Sequence, residues 1–113
     1  MDGVFKVYDN EIGISFRWQK TAKLIQVIFR DIGFHLSVLE IENFLDQVID
    51  SKQKQVCMGC QYGKDCRSML LRTPSSKVSI AVSLNELNQI EDLLRGTLFQ
   101  ADLEQYLNKV CKN

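Results

Sequence analysis

Phe34-His35-Leu36-Ser37-Val38-Leu39-Glu40-Ile41 and Ile80-Ala81-Val82-Ser83-Leu84-Asn85-Glu86-Leu87 decide the fold of this chain. Each octet changes its hydrophobic period at the serine. Before it, apolar residues alternate, as in a half-buried strand; after it, they recur at helical spacing. Ser37 with Glu40, and Ser83 with Glu86, spell the S-x-x-E capping box that starts a helix. Downstream of the first box, Ile41, Phe44, Leu45, Val48 and Ile49 share one helical face, predicting a helix to about Lys52. Downstream of the second, Leu87, Ile90 and Leu94 repeat the stripe, and Gly96 reads as the stop. Thr97 and Gln100 then open an extra C-terminal helix lined by Phe99, Leu103, Leu107 and Val110.

The boxes are offset by 46 residues, from Ser37 to Ser83, and Glu40/Glu86 and Asp46/Asp92 keep that offset. The spacing predicts an internal repeat, approximately 22–52 and 67–96. Further upstream, Val4 to Tyr8 reads as a strand, then Asp9-Asn10-Glu11 as a turn. Ile12, Ile14, Phe16 and Trp18 alternate with polar or small residues, which gives the next strand an apolar face. Leu24 to Arg30 and Phe34 to Ser37 form a hairpin around Asp31-Ile32-Gly33. Arg67 to Thr73 and Lys77 to Val82 form another around Pro74-Ser75-Ser76. The expected fold is α+β: an antiparallel sheet built from two β-hairpin–helix units, helices packed on one face, and an extra C-terminal helix.

At 113 residues the chain is a single domain, 1–113, large enough for one apolar core. Fourteen Lys and Arg balance fourteen Asp and Glu, which excludes nucleic-acid binding by bulk positive charge. The balance is uneven along the chain. Residues 31–50 carry acids only, whereas Lys52, Lys54, Lys64, Arg67, Arg72 and Lys77 face Asp65 alone. No run approaches a membrane span, and the start Met1-Asp2-Gly3-Val4-Phe5-Lys6 lacks a signal-peptide pattern, so a cytoplasmic protein is expected.

The chemistry sits in a loop, 53–66, with Cys57, Cys60 and Cys66. Cys-x-x-Cys places two thiolates on one turn, and Gly59 and Gly63 let the chain bend so that Cys66 returns to them. Zinc is the expected ion, with an iron–sulfur cluster the less favoured alternative. A tetrahedral site needs a fourth donor, and His35, Cys111, Asp65 or water are the options. On the stripe of the last helix, Cys111 reads first as a core cysteine. His35 reads first as a surface or hydrogen-bonded strand residue, and Trp18 as a core or interface anchor. Inert thiols are the plain alternative to a metal site. Exchange between Cys57 and Cys60 is another, although this Cys-x-x-Cys follows a helix instead of opening one. The basic residues Lys54, Lys64, Arg67 and Arg72, with Tyr62 among them, raise a nucleic-acid contact; a solvated basic edge is the plain reading. Gly59 to Asp65 is one residue short of a phosphate loop and has Asp65 where Ser or Thr would hold Mg²⁺. One histidine and no activated serine pattern give hydrolytic triads no support.

The Cys57-x-x-Cys60…Cys66-Arg67 loop, Leu70-Leu71-Arg72-Thr73-Pro74, Ser83-x-x-Glu86-Leu87 and Gly96-Thr97-Leu98-Phe99-Gln100 resemble a group of small uncharacterised proteins from Bacteroidetes-type bacteria. Some members carry a further Cys-x-x-Cys before the third strand, where this chain has Gln19-Lys20-Thr21-Ala22. The resemblance implies a cytoplasmic bacterial protein and no activity. The expectation is therefore a non-enzymatic binding or adaptor domain, stapled by zinc, that engages a protein partner or forms a homodimer. A thiol redox protein and a nucleic-acid contact module are the alternatives.

Overall fold

A computed structural model describes residues 4–56, 67 and 69–111, with side chains at 4–53, 67 and 69–107. Its elements, in order, are β1 (Phe5–Asp9), β2 (Gly13–Arg17), β3 (Ile25–Phe29), β4 (Ile32–Leu36), α1 (Val38–Val56), β5 (Met69–Arg72), β6 (Ser79–Val82) and α2 (Leu84–Cys111). The chain is α+β, as the sequence predicts. The strands form an antiparallel four-stranded meander, β1 to β4, and a separate hairpin, β5 with β6. The two hairpin–helix units are β3-β4-α1 and β5-β6-α2.

Both capping boxes form. Ser37 Oγ accepts from the Glu40 amide at 3.2 Å, and Glu40 accepts from the Ser37 amide at 2.9 Å. Ser83 and Glu86 repeat the pair at 3.1 and 2.9 Å. Ile41, Phe44 and Val48 of α1 are buried with Leu87, Ile90, Leu93 and Leu94 of α2. These close one core with Ile25, Val27, Phe29, Leu36, Leu71 and Val82 from the strands. The helices run antiparallel: Lys52 reaches Glu91 at 2.7 Å, while Val38 and Glu42 share a groove with Ala101 and Gln105.

Three local readings are corrected. The first concerns β2, whose apolar face points away from the helices. Cross-strand partners share a face, and Ser15 pairs with Val27, which pairs with Phe34. Ser15 lies 2.6 Å from Thr97 of α2, so this is the core row. A hydroxyl can sit there because it also donates to the Tyr8 carbonyl at 3.3 Å. The neighbouring row, Phe16, Gln26 and His35, is the outer face. Phe16 is buried there under Trp18, whose ring meets it edge-on at 5.1 Å, and it lies outside the core cluster.

The second concerns the β3–β4 turn, which is Arg30-Asp31, while Ile32 and Gly33 belong to β4. A two-residue hairpin turn demands a left-handed residue, and Arg30 takes that role at φ 56°. Its guanidinium donates to the Ala81 carbonyl at 2.6 Å and lies 3.6 Å from Glu86, contacts that hold the strained backbone.

The third concerns Gly96, which does not end a helix. The two predicted helices are one, α2, with Gly96 inside it. Glycine is there for room: a Cβ at 96 would lie 2.6 Å from Tyr8 Cδ2 and nearer still to Cε2 and Cζ. Tyr8 is held over this notch by its hydroxyl, which donates to Asp92 at 2.9 Å. Asn10 fixes the β1–β2 turn to the same helix, donating to Asp92 and to the Gln89 carbonyl.

Candidate functional site

The fold has two chemically different ends. At the first end are the N-terminus of α2, the C-terminal part of α1 and Arg67, which follows the cysteine loop. Arg67 holds Glu86 in a two-pronged bond, Nε to Oε1 at 3.0 Å and Nη2 to Oε2 at 3.0 Å. Glu86 is thus shared by the capping box, Arg67 and Arg30. Burial pushes its carboxyl up, but the Arg67 bonds, the Ser83 amide and both arginine charges outweigh this and lower it. Glu91 is lowered first by its bond from Lys52, against burial, with help from Arg95 at 2.7 Å.

Cys57, Cys60, Cys66, Tyr62, Lys64 and Asp65 lie outside the described residues, as do the side chains of Lys54 and Cys111. Among the described residues, no three His, Cys, Asp or Glu side chains gather into a metal set. The flanks of the loop are nevertheless placed. Cys57 follows the last residue of α1, and Cys66 precedes the Arg67 that is pinned to Glu86. Two of the fourth-donor candidates stand far from that pin. Cys111 closes α2 25 residues beyond Glu86, about 37 Å at 1.5 Å per residue. His35 is exposed on the outer sheet face, two residues before the Ser37 cap and away from the Arg30 turn. Asp65 lies within the loop itself.

The basic residues divide as well. Arg67 and Lys52 are engaged by Glu86 and Glu91. Arg72 ends β5 with an exposed side chain.

The other end was not singled out by sequence. There α2 carries Phe99 (65% exposed), Leu103, Tyr106 (63% exposed) and Leu107 on its surface. The spacing of Phe99, Leu103 and Leu107 marks one helical face in the sequence without saying whether the core or solvent takes it. Leu94, Thr97 and Ala101 take the core side of α2, and the stripe occupies the opposite side. From Asp102 to Leu107 every residue is exposed. Arg17 of β2 donates to Glu104 at 2.6 Å and ties this half of the helix to the sheet. Beside it runs an open groove between the β2–β3 loop, with Lys20 and Lys23, and the helix residues Val38, Phe99 and Asp102.

No described helix is long and apolar enough to cross a membrane. Comparison with known proteins gives no match: no family model, no curated protein and no solved structure shows significant similarity to the chain.

Proposed function

We propose that this chain is a small non-enzymatic binding domain that engages a protein through the exposed stripe of α2 and is stapled at its other end by a zinc-holding cysteine loop. The stripe carries this reading. Single exposed apolar residues are ordinary, but Phe99, Leu103, Tyr106 and Leu107 adjoin on one helical face. All four are exposed among the described residues, and one ion pair, Arg17 with Glu104, ties this part of α2 to the sheet.

The staple rests on the cysteine spacing and on the pinned flank of the loop. Cys57, Cys60 and Cys66 supply three thiolates, and Asp65 is the fourth donor nearest to them in the chain. Zinc here joins the C-terminus of α1 to the start of the β5–β6 hairpin, next to the Arg67–Glu86 pair.

The test of the binding surface is Leu103→Glu, with unfolding followed at high dilution. The expected change in stability is within about 0.5 kcal/mol, as for a surface position. A loss of about 2 kcal/mol or more would place Leu103 inside the fold and reject the reading.

A further inference from the structure

The four-stranded sheet ends in two edge strands that are built differently. β1 is blunted: its register shifts between Lys6 and Tyr8, Lys6 pairs with Asp9 at 3.4 Å, and Tyr8 and Asn10 are tied to α2. A bulge and a lysine are ordinary means of stopping a further strand from adding to an edge. β4 has neither. Its five residues, Ile32 to Leu36, keep an unbroken register with β3 and include no lysine or proline. Among the described residues, β3 is the only strand paired with it.

The turn decides which main-chain groups β4 leaves free. In a two-residue hairpin the residues flanking the turn, here Phe29 and Ile32, exchange both hydrogen bonds, and the pattern alternates from there. Ile32, Phe34 and Leu36 therefore direct their amides and carbonyls at β3, while Gly33 and His35 direct theirs outward. Both of these residues are exposed, and among the described residues no turn or loop bond reaches either.

This edge is complementary to itself. Set antiparallel about Phe34, two copies of β4 put Gly33 opposite the partner's His35, twice by symmetry. These are the residues with free main-chain groups, so each pair closes both bonds. On the core side, Phe34 meets the partner's Phe34, and Ile32 meets the partner's Leu36. Ile32 and Phe34 are only partly buried within one chain, although Phe34 already packs on Phe29 and Phe44 at 6.0 and 5.6 Å. On the other side, the partner's imidazole stands against Gly33, which brings no side chain and over which the Gln26 amide lies. No like charges oppose each other, because β4 carries no acid, lysine or arginine.

We propose that β4 pairs antiparallel with β4 of a second copy of this chain, joining two four-stranded sheets into one continuous sheet. The interface is isologous, so it closes at a dimer. It is separate from the binding surface proposed above and uses no residue of the α2 stripe.

Sedimentation equilibrium and residue-resolved amide exchange of the whole chain, both over a wide concentration range, test this. The native chain is expected to dimerise. The Gly33 and His35 amides are expected to exchange fast in the dilute monomer and about 100-fold slower in the dimer, with Ile32, Phe34 and Leu36 slow in both. His35→Pro removes an outward amide and no bond to β3. It is expected to weaken association about 30-fold, two hydrogen bonds being lost by symmetry, while Leu103→Glu leaves association unchanged. A chain monomeric at every concentration overturns the proposal. So does a dimer indifferent to His35→Pro, or one in which Gly33 and His35 exchange as fast as in the monomer. Slow Gly33 and His35 amides in the dilute monomer also overturn it, because the edge is then covered within one chain. If His35→Pro does not fold, the exchange pattern of the native chain decides alone. Dimerisation lost in Leu103→Glu would move the contact to the α2 stripe, ending this proposal and keeping the binding reading.

Discussion

Replacing Gly96 by alanine tests whether α2 is one helix held against β1. In an exposed helix interior, Gly→Ala stabilises by about 1 kcal/mol. Here the new methyl meets the Tyr8 ring, with Cδ2 at 2.6 Å, where ordinary contact begins near 3.4 Å. The ring must retreat by roughly 1 Å, a shift comparable to forcing an extra methylene into a packed core. Its freedom to do so is limited by the 2.9 Å bond from its hydroxyl to Asp92. Overpacking costs about 1–3 kcal/mol, so the propensity gain is outweighed by about 1 kcal/mol. For a chain this size that lowers Tm by about 4 °C. Removing the ring reverses the sign: in a Tyr8→Ala background, Gly96→Ala is expected to stabilise by about 1 kcal/mol. Urea unfolding of the four proteins in the cycle gives the coupling, expected near 2 kcal/mol. If Gly96→Ala stabilises both backgrounds equally, Tyr8 does not sit over Gly96, and the argument for an uninterrupted α2 fails.

Zinc content makes a second prediction: elemental mass spectrometry of protein purified without chelator should give about one zinc per chain, lost when Cys57 and Cys60 become serine. A metal-free chain whose melting curve ignores chelator would reject the staple. A third prediction concerns acid. Glu86 and Glu91 both have carboxyls lowered from an ordinary 4.5, so the stability they contribute is present above pH 4.5 and is lost as pH falls through their folded values. Glu86→Gln and Glu91→Gln should therefore flatten the fall in Tm below pH 4.5, and an unchanged acid limb in both variants would contradict the ion-pair assignment.

Much of the fold was written locally, which is why it was legible. A capping box closes within four residues, so Ser37/Glu40 and Ser83/Glu86 announce their helices without help from distant contacts. Tertiary contacts decided what the sequence misplaced. Gly96 looks like a stop because nothing nearby reveals Tyr8, 88 positions earlier, lying against it. Ser15 looks solvent-facing because its partner Thr97 is equally remote, and Phe16 looks like core because alternation names two faces without saying which one the helices cover. Arg30 gives no turn signal of its own; its left-handed backbone depends on Ala81 and Glu86. The side taken by the exposed stripe is undecided in the sequence for a related reason. Phe99, Leu103 and Leu107 show helical spacing, but Leu94, Thr97 and Ala101 do so too, and only packing assigns the core to the second set. The cysteine spacing was plain from the sequence, and the structure adds the pinned Arg67 flank and the remoteness of Cys111 and His35.

The most direct measurement of the central claim is amide hydrogen exchange along α2 in dilute solution. The segment around Leu87 to Leu94 is expected to exchange only by global unfolding, because Leu87, Ile90, Leu93 and Leu94 are fully buried. The segment from Asp102 to Leu107, in which every residue is exposed, is expected to exchange orders of magnitude faster through local opening. Equal protection along the whole helix at high dilution would mean that the fold itself covers Phe99, Leu103 and Tyr106, and α2 would then have no free face for a partner.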